Sequence, residues 1–371
     1  MIVMNDFKKE YNFFETEINK AITNTLESGW YILGKNVEDF ERNFAQYIGT
    51  KYCIGVANGL EALQIALMAL GIGKGDEVIT VSNSAVATVL AITNSGAKPV
   101  FVDIDEYYLM DVEKIEEKIT PRTKAIIPVQ LFGQMANMKR LKQIAKKHNL
   151  KIIEDACQAH GALQNGKKSG SIGSLGCFSF YPTKNLGGYG DGGAITTNSK
   201  KLYEACKMLR NYGQKNRYYH KTIGMNSRLD ELQAAILNEK LRHLDEMIDR
   251  RRTIADLYTK LLQGIKEIAL PKPGKNNVHA YHLYVIRTKK RNGLQEHLKR
   301  KDIQSLIHYP VPIHKQECYR EYNKISLPKT ERFSAEVLSL PIHPFITEEE
   351  VEKVCNEIRS FFQSVSHSEN I

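Results

Sequence analysis

Between residues 50 and 200, short β-branched runs alternate with amphipathic helical segments, and few folds accommodate that order. The runs expected as strands are Tyr52–Val56, Glu77–Thr80, Lys98–Val102, Lys124–Val129, Lys151–Glu154, Gly176–Ser179 and Gly193–Thr197. Helical spacing lies between several of them, over Leu60–Leu70, Ala85–Thr93 and Met138–His148. Apolar strands separated by such helices call for a largely parallel sheet covered on both faces. Ligands of such sheets bind beyond the carboxyl ends of the strands. Residues placed there are the first functional candidates.

The flanks extend this picture. Glu15–Glu27 carries apolar residues near helical spacing, Gly29-Trp-Tyr-Ile-Leu-Gly34 breaks it, and Val37–Tyr47 resumes it. Arg228–Leu262 reads as one long helical stretch. Pro271 and Pro273 follow, then a strand over His282–Arg287 and helices over Gly293–Lys301 and Glu348–Phe362. The expectation is an α/β protein with two domains. Residues 1–240 form the larger, around a largely parallel sheet, and residues 241–371 a smaller C-terminal α/β domain. Ser364–Ile371 reads as a frayed tail.

Several classes fall away. With 42% hydrophobic and 25% charged residues the chain is not disordered. It has no apolar run of the roughly 18–20 residues that a membrane helix needs. Met1–Glu10 has no apolar core behind a basic start, so no secretory signal is read there and a cytoplasmic location is expected. The six cysteines form no CxxC pair, which fits free thiols and gives no zinc cluster. The net charge of +10 is spread among acids, as in Glu239–Glu246. It reads first as a solvated mixed-charge surface and otherwise as a field that draws in anionic small molecules, whereas nucleic-acid binding lacks a zinc finger, an aromatic-basic motif or a dense basic run.

Three segments carry chemistry. In Phe178–Ala194, Gly188, Gly190 and Gly193 satisfy GxGxxG, but the motif opens onto the strand Ala194-Ile-Thr-Thr and not a helix. The dinucleotide reading therefore fails. What remains is Lys184 on a turn. Such a lysine is ordinarily a surface residue, but lodged among Phe180, Tyr181 and Leu186 it would have a depressed pKa and supply the neutral amine a Schiff base needs. In Ile152–Gly161, Asp155 ends an apolar strand. It suits either an N-cap or the carboxylate that keeps a pyridine nitrogen protonated. In Ala57–Leu63 a strand turns into a helix at Asn58-Gly59-Leu60, where free amides suit a phosphate.

Together these segments resemble the DegT/DnrJ/EryC1/StrS family of pyridoxal-phosphate-dependent nucleotide-sugar aminotransferases. The likeness also covers Gly29–Gly34, Asn226–Ala235, Tyr281–Arg287, His308–His314 and Leu338–Pro341, in order. It implies an aspartate-aminotransferase-like fold (fold type I) with a mixed, mostly parallel sheet in the large domain, and pyridoxal 5'-phosphate as cofactor. Lys184 would form the Schiff base and shuttle the proton. Asp155 would pair with the pyridine nitrogen and Gln158 would sit by the phenolic oxygen. Asn58, Gly59 and Leu60, with Ser179, would hold the phosphate, and Asn226 would reach the phosphate bound by a second copy, giving a homodimer with shared active sites.

Two positions depart from the family's common pattern. Where many relatives stack an aromatic residue on the ring, this chain has Asn83-Ser-Ala85, and a usual His is Gln130. A branch that replaces the lysine by His and removes oxygen from sugars is disfavoured by Lys184. The resemblance implies L-glutamate as amino donor and a nucleotide sugar as acceptor, in deoxysugar biosynthesis for O-antigen or another surface polysaccharide. Tyr181, with the segment His308-Tyr309-Pro-Val-Pro-Ile-His314, is similar to enzymes acting on C3 of a dTDP-3-keto-6-deoxyhexose. His308, Tyr309 and His314 are candidate sugar contacts. Lys215 and Arg217, in a basic segment with Arg210, His220 and Lys221, are candidates for the diphosphate. The alternatives are C4 amination of a UDP- or GDP-4-keto sugar, or a regulatory or nucleic-acid-binding protein that keeps the fold without catalysis.

Overall fold

Seven strands build the central sheet of the computed structural model, which describes residues 1–368. They are β1 (Tyr52–Val56), β2 (Glu77–Val81), β3 (Lys98–Val102), β4 (Thr123–Ile126), β5 (Lys151–Asp155), β6 (Leu175–Ser179) and β7 (Gly193–Thr197). Their spatial order is β1-β7-β6-β5-β4-β2-β3. β7 runs antiparallel to β1 and β6, and the remaining neighbours are parallel. The sheet is mostly parallel, as expected from the alternation in the sequence, and mixed because β7 is reversed.

The helices that cover the sheet, or lead on from it, are α1 (Phe7–Ser28), α2 (Lys35–Ile48), α3 (Gly59–Ala69), α4 (Ala87–Asn94), α5 (Met138–Lys147), α6 (Lys200–Leu209), α7 (Glu231–Arg242) and α8 (Leu244–Leu262). On one face, Leu63 and Ala66 of α3 and Leu209 of α6 pack against Ile153, Cys177 and Ile195. On the other, Phe40 and Phe44 of α2, Leu141 of α5 and Leu237 of α7 pack against Ile152, Phe178 and Ala194. Ile152 and Ile153 serve opposite faces, as do Cys177 and Phe178, which is the period of two expected of a doubly covered strand. α2 starts at Gly34, which has no side chain to cap it. Glu231 of α7 supplies the cap instead, accepting the N–H groups of Gly34, Asn36 and Val37 at 2.7, 2.8 and 3.0 Å.

A second hydrophobic core gathers α8, the antiparallel pair β8 (Tyr284–Arg287) and β9 (Val337–Leu340), α9 (Arg291–Arg300) and the terminal helix Glu348–Ser368. Ile2 joins this core, and Ile313, Tyr319 and Tyr322 return to pack on Val89 and Phe101. The two cores are therefore laced together at both ends of the chain.

Two expectations need correction. The stretch Arg228–Leu262 is two helices, interrupted at His243, whose ψ of 1° is not helical. α7 packs on α1 and α2, whereas Ile254, Tyr258 and Leu262 of α8 belong to the second core. The interruption falls between those two allegiances, and no breaker residue marks it. The expected tail from Ser364 is also shorter, since the last helix runs to Ser368, and residues 369–371 lie outside the described part.

Candidate active site

The carboxyl ends of β5 and β6 meet the start of α3, and the chemistry-bearing residues collect there. Asp155 is the last residue of β5 and is buried. Its Oδ2 accepts the Thr88 hydroxyl at 2.7 Å, and its Oδ1 accepts the Cys157 N–H at 3.2 Å. Glu154, one residue earlier, faces the other side of the sheet. It accepts the N–H groups of Gly170, Ile172 and Gly173 at 3.0, 2.7 and 2.7 Å, although burial still pushes its carboxyl up. Gln130 joins Glu154 at 3.3 Å and accepts the Ala136 N–H at 2.7 Å, so the position where relatives commonly carry His is part of the scaffold.

The start of α3 forms a small concave cradle. Asn58 caps the helix by accepting the Glu61 N–H at 2.9 Å, which leaves the first helical amides, Gly59 and Leu60, outside the intrahelical ladder. A Cβ on Gly59 would lie 2.8 Å from both Cys157 Sγ and Ser179 Cβ. Only glycine lets the helix start come so close to Ser179. Amides, a helix N-terminus and a hydroxyl in one place suit an oxyanion such as phosphate.

Lys184 sits on the turn after β6. Phe180 N–H donates to Gly192 O at 2.7 Å, and Gly188 N–H donates to Phe180 O at 2.8 Å, closing the loop on itself. Phe180 and Leu186 are buried beneath it, while Tyr181 is 53% exposed and turns outward. Lys184 is half-buried by area but its amine end lies deep among protein atoms, and burial pushes it below the ordinary lysine range, against the opposing pull of Cys157 and Asp155. Among the described residues that amine has no hydrogen-bond or ion-pair partner. A buried, unpaired lysine is costly to keep charged, and a neutral amine is the nucleophile that carbonyl chemistry requires.

The residues 13–359 match the DegT/DnrJ/EryC1/StrS aminotransferase family. This chain belongs to that family. A relative from Aneurinibacillus thermoaerophilus, dTDP-3-amino-3,6-dideoxy-alpha-D-galactopyranose transaminase, is 52% identical over 97% of this chain and 99% of its own. The crystal structure of S. venezuelae DesV in complex with a ketimine intermediate has a TM-score of 0.95 at 43% identity, covering 97% of this chain and 98% of that one. NtdA from Bacillus subtilis, solved with bound cofactor PMP, has a TM-score of 0.90 at 34% identity, covering 95% of this chain and 82% of that one. The family's cofactor, pyridoxal phosphate or its amine form, fits the residues present: an unpaired amine, a carboxylate at a strand end, and an amide cradle that a Cβ would fill.

Around this aminotransferase centre the other candidates fall into three groups. Gln158, His308 and Tyr309 converge on it. Gln158 accepts the Phe132 N–H at 3.0 Å and donates to the Tyr309 hydroxyl at 3.0 Å. His308 bonds Ser339 Oγ through Nδ1 at 2.9 Å and lies close enough for Lys184 to lower its pKa, after burial, to about 4. His314 is placed differently, with Nδ1 on Ser82 Oγ at 2.6 Å and Nε2 on Glu331 at 3.1 Å, so neither ring nitrogen is left to meet a sugar. The third group lies outside. Lys215 and Arg217 are exposed on the hairpin Gln214–Asn216/Tyr219–His220, and Asn226 is exposed on the returning segment, bridged to Asn211. Arg210 is not part of a free basic loop, because it is buried in an ion pair with Glu41 and donates to Gly55 O at 2.7 Å. A surface cavity of about 800 Å³ beside Arg210 is lined by none of the cofactor candidates.

Thr88 and Ser84, through Asp155, and His282, near enough for Lys184 to lower its pKa after burial, also belong to the centre; Ser84 and His282 fall in segments compared with the family, but none of the three is read from the sequence as a site residue. Ala85 is half-buried beside Ser84, and the aromatic ring found there in many relatives has no counterpart in the side chain itself.

Burial of neutral imidazoles gives the fold a pH dependence. His160, His279 and His343 are held down to about 3, about 3 and about 4 by desolvation, from an ordinary value of 6.5. Below that value the unfolded chain binds protons that the folded one refuses, so stability falls with pH until the folded values are reached. Each such histidine contributes at most ~1.4 kcal/mol per pH unit over that window. The urea midpoint is expected to fall from pH 7 to pH 5, because these histidines outnumber the carboxyls Asp105 and Glu154, whose pKa values burial raises and which pull the other way, and a midpoint that rose over this window would contradict the placements.

Proposed function

We propose that this aminotransferase moves an amino group from L-glutamate to C3 of a dTDP-3-keto-6-deoxyhexose, with pyridoxal 5'-phosphate as cofactor. The reading is carried by the unpaired Lys184 amine beside Asp155, in a chain that matches a dTDP-3-amino-sugar transaminase over nearly its whole length. When bound, the cofactor supplies an aldehyde carbon that exchanges oxygen for an amine and a ring that takes up the electron pair left at the substrate carbon.

The chain's residues do the rest. Lys184 Nζ, whose pKa burial lowers, takes the proton from the substrate carbon and returns it when the amine is handed on. Asp155 holds the ring nitrogen, fixed by Thr88 and the Cys157 N–H. Gly59 and Leu60 amides with Ser179 hold the phosphate, and Gln158 meets the phenolic oxygen. His308 and Tyr309 sit beside Lys184 and Gln158, where the sugar must arrive, with Tyr181 at the outer edge. Tyr309 is enclosed enough for burial to push its hydroxyl up to about 12, so it remains protonated and able to donate.

A second copy completes the site in this reading. Leu26, Trp30, Tyr31 and Ile32, within seven residues of chain, are 52, 63, 49 and 40% exposed and offer apolar side chains to a partner. Asn226 then reaches the phosphate of the neighbouring site, and Lys215 and Arg217 meet the nucleotide diphosphate from the exposed hairpin. Free cysteines and the nucleotide-linked substrate fit a cytoplasmic enzyme, and no helix among the described residues is long and apolar enough to cross a membrane.

The test is a mass-spectrometric screen of 3-keto and 4-keto nucleotide sugars with glutamate. An amino sugar is expected from the dTDP-3-keto-6-deoxyhexose, with 2-oxoglutarate released in equal amount. Amination of 4-keto sugars alone would replace the C3 assignment by C4.

A further inference from the structure

Asp155 does not stand alone. Thr88 is on the first turn of α4, fully buried, with its hydroxyl 2.7 Å from Asp155 Oδ2. Ser84 Oγ lies 2.8 Å from the same hydroxyl and is also buried. An ionised carboxylate only accepts hydrogen bonds, so the single Thr88 proton points at Asp155. The Thr88 lone pair then receives the Ser84 proton, and the direction of the whole relay is set: Ser84 to Thr88 to Asp155. Such a chain of hydroxyls strengthens each of its members where water is excluded.

We propose that Thr88 is a positioning residue for Asp155, and that Ser84 fixes the direction in which Thr88 donates. With Thr88 on Oδ2 and the Cys157 N–H on Oδ1, each carboxylate oxygen is tethered once by the protein. The plane of the carboxylate cannot swing, and the lone pairs left over face the site. Threonine suits the task because its branched side chain is stiff about χ1. Ser84 lies in the bend that leads into α4, four residues before Thr88, so both hydroxyls arrive from one short segment. That segment is where this chain carries Asn83-Ser-Ala85 in place of the aromatic pattern.

This inference rests on Asp155 being the partner of the cofactor's ring nitrogen. The test compares the holoenzymes of T88V, T88S, S84A and D155N. Three quantities are read: the single-turnover rate with glutamate, its dependence on glutamate concentration, and the cofactor dissociation constant by equilibrium dialysis. A hydrogen bond to a charged group is worth about 1.5–3 kcal/mol, which corresponds to about 10- to 100-fold. T88V is expected to slow the half-reaction by about that factor and to loosen the cofactor, with the glutamate concentration giving half-maximal rate nearly unchanged. T88S, which keeps the hydroxyl, is expected within about threefold of the parent, and S84A between the two. A T88V enzyme as fast as the parent, or a T88S enzyme as slow as T88V, would overturn the assignment. D155N separates the layers: if D155N itself reacts normally, the role of Asp155 fails, whereas a crippled D155N beside a normal T88V removes only the role given to Thr88.

Discussion

Replacing Lys184 by alanine is expected to lower turnover by about 10,000-fold or more while leaving the protein as stable as before. The first half follows from what the amine does. Proton transfer by a positioned base is worth up to about 10,000-fold by itself, and the same amine also accepts and releases the cofactor's carbonyl carbon. The second half follows from what the amine lacks. It is enclosed, held below its ordinary pKa by burial, and unpaired among the described residues. Removing a group that must give up its hydration without compensation relieves a cost, which offsets the packing that the aliphatic stem provides in the parent. Tm is expected to move by less than about 3 °C, small against the shift of a typical core truncation. Borohydride reduction of the parent should label Lys184, and the variant should take no label. A variant that turns over within tenfold of the parent would remove the basis of the mechanism.

How far the sequence alone reaches depends on how local each interaction is. Asp155 and the Asn58–Leu60 turn sit at or just past the end of a strand, and Lys184 on the turn that follows one, so strand periodicity and the glycines around them mark them as candidates, while the roles given to them come from the family resemblance. That Gly193 opens onto a strand, Ala194-Ile-Thr-Thr, and not onto a helix is readable, but the reversed direction of β7 is not. Contacts made across the chain are not. Thr88 meets Asp155 from 67 residues away, and nothing in Ala87–Asn94 distinguishes that threonine from one facing solvent. His314 resembles a sugar contact in the sequence because its neighbours His308 and Tyr309 do approach the centre, yet Ser82 and Glu331 take both of its nitrogens. Arg210 reads as one cation in a basic run, but its partner Glu41 lies on α2, 169 residues earlier. In each case the decisive partner comes from another element, and a single sequence carries no record of that pairing.

Asp155→Asn is expected to cost about 1,000-fold in turnover, close to the loss seen when one preorganised charge-stabilising group is removed from an enzyme site. Asparagine keeps the size of the side chain but not its charge, and a neutral amide cannot hold a proton on a pyridine nitrogen. The loss does not come through the lysine. Asp155 pulls the Lys184 pKa up, so its neutralisation lets burial depress that amine further and leaves it more fully in the neutral form. Residual activity should therefore extend to lower pH than in the parent even as its maximum collapses. A failed fold is separated from a failed site by the cofactor itself. A pyridoxal phosphate analogue methylated on the ring nitrogen carries the positive charge permanently and has no need of the aspartate. Such an analogue is expected to restore at least tenfold of the loss in D155N and to give the parent enzyme no benefit. If the analogue rescued nothing while the variant still bound it, the carboxylate at the end of β5 would have to act on something other than the ring nitrogen.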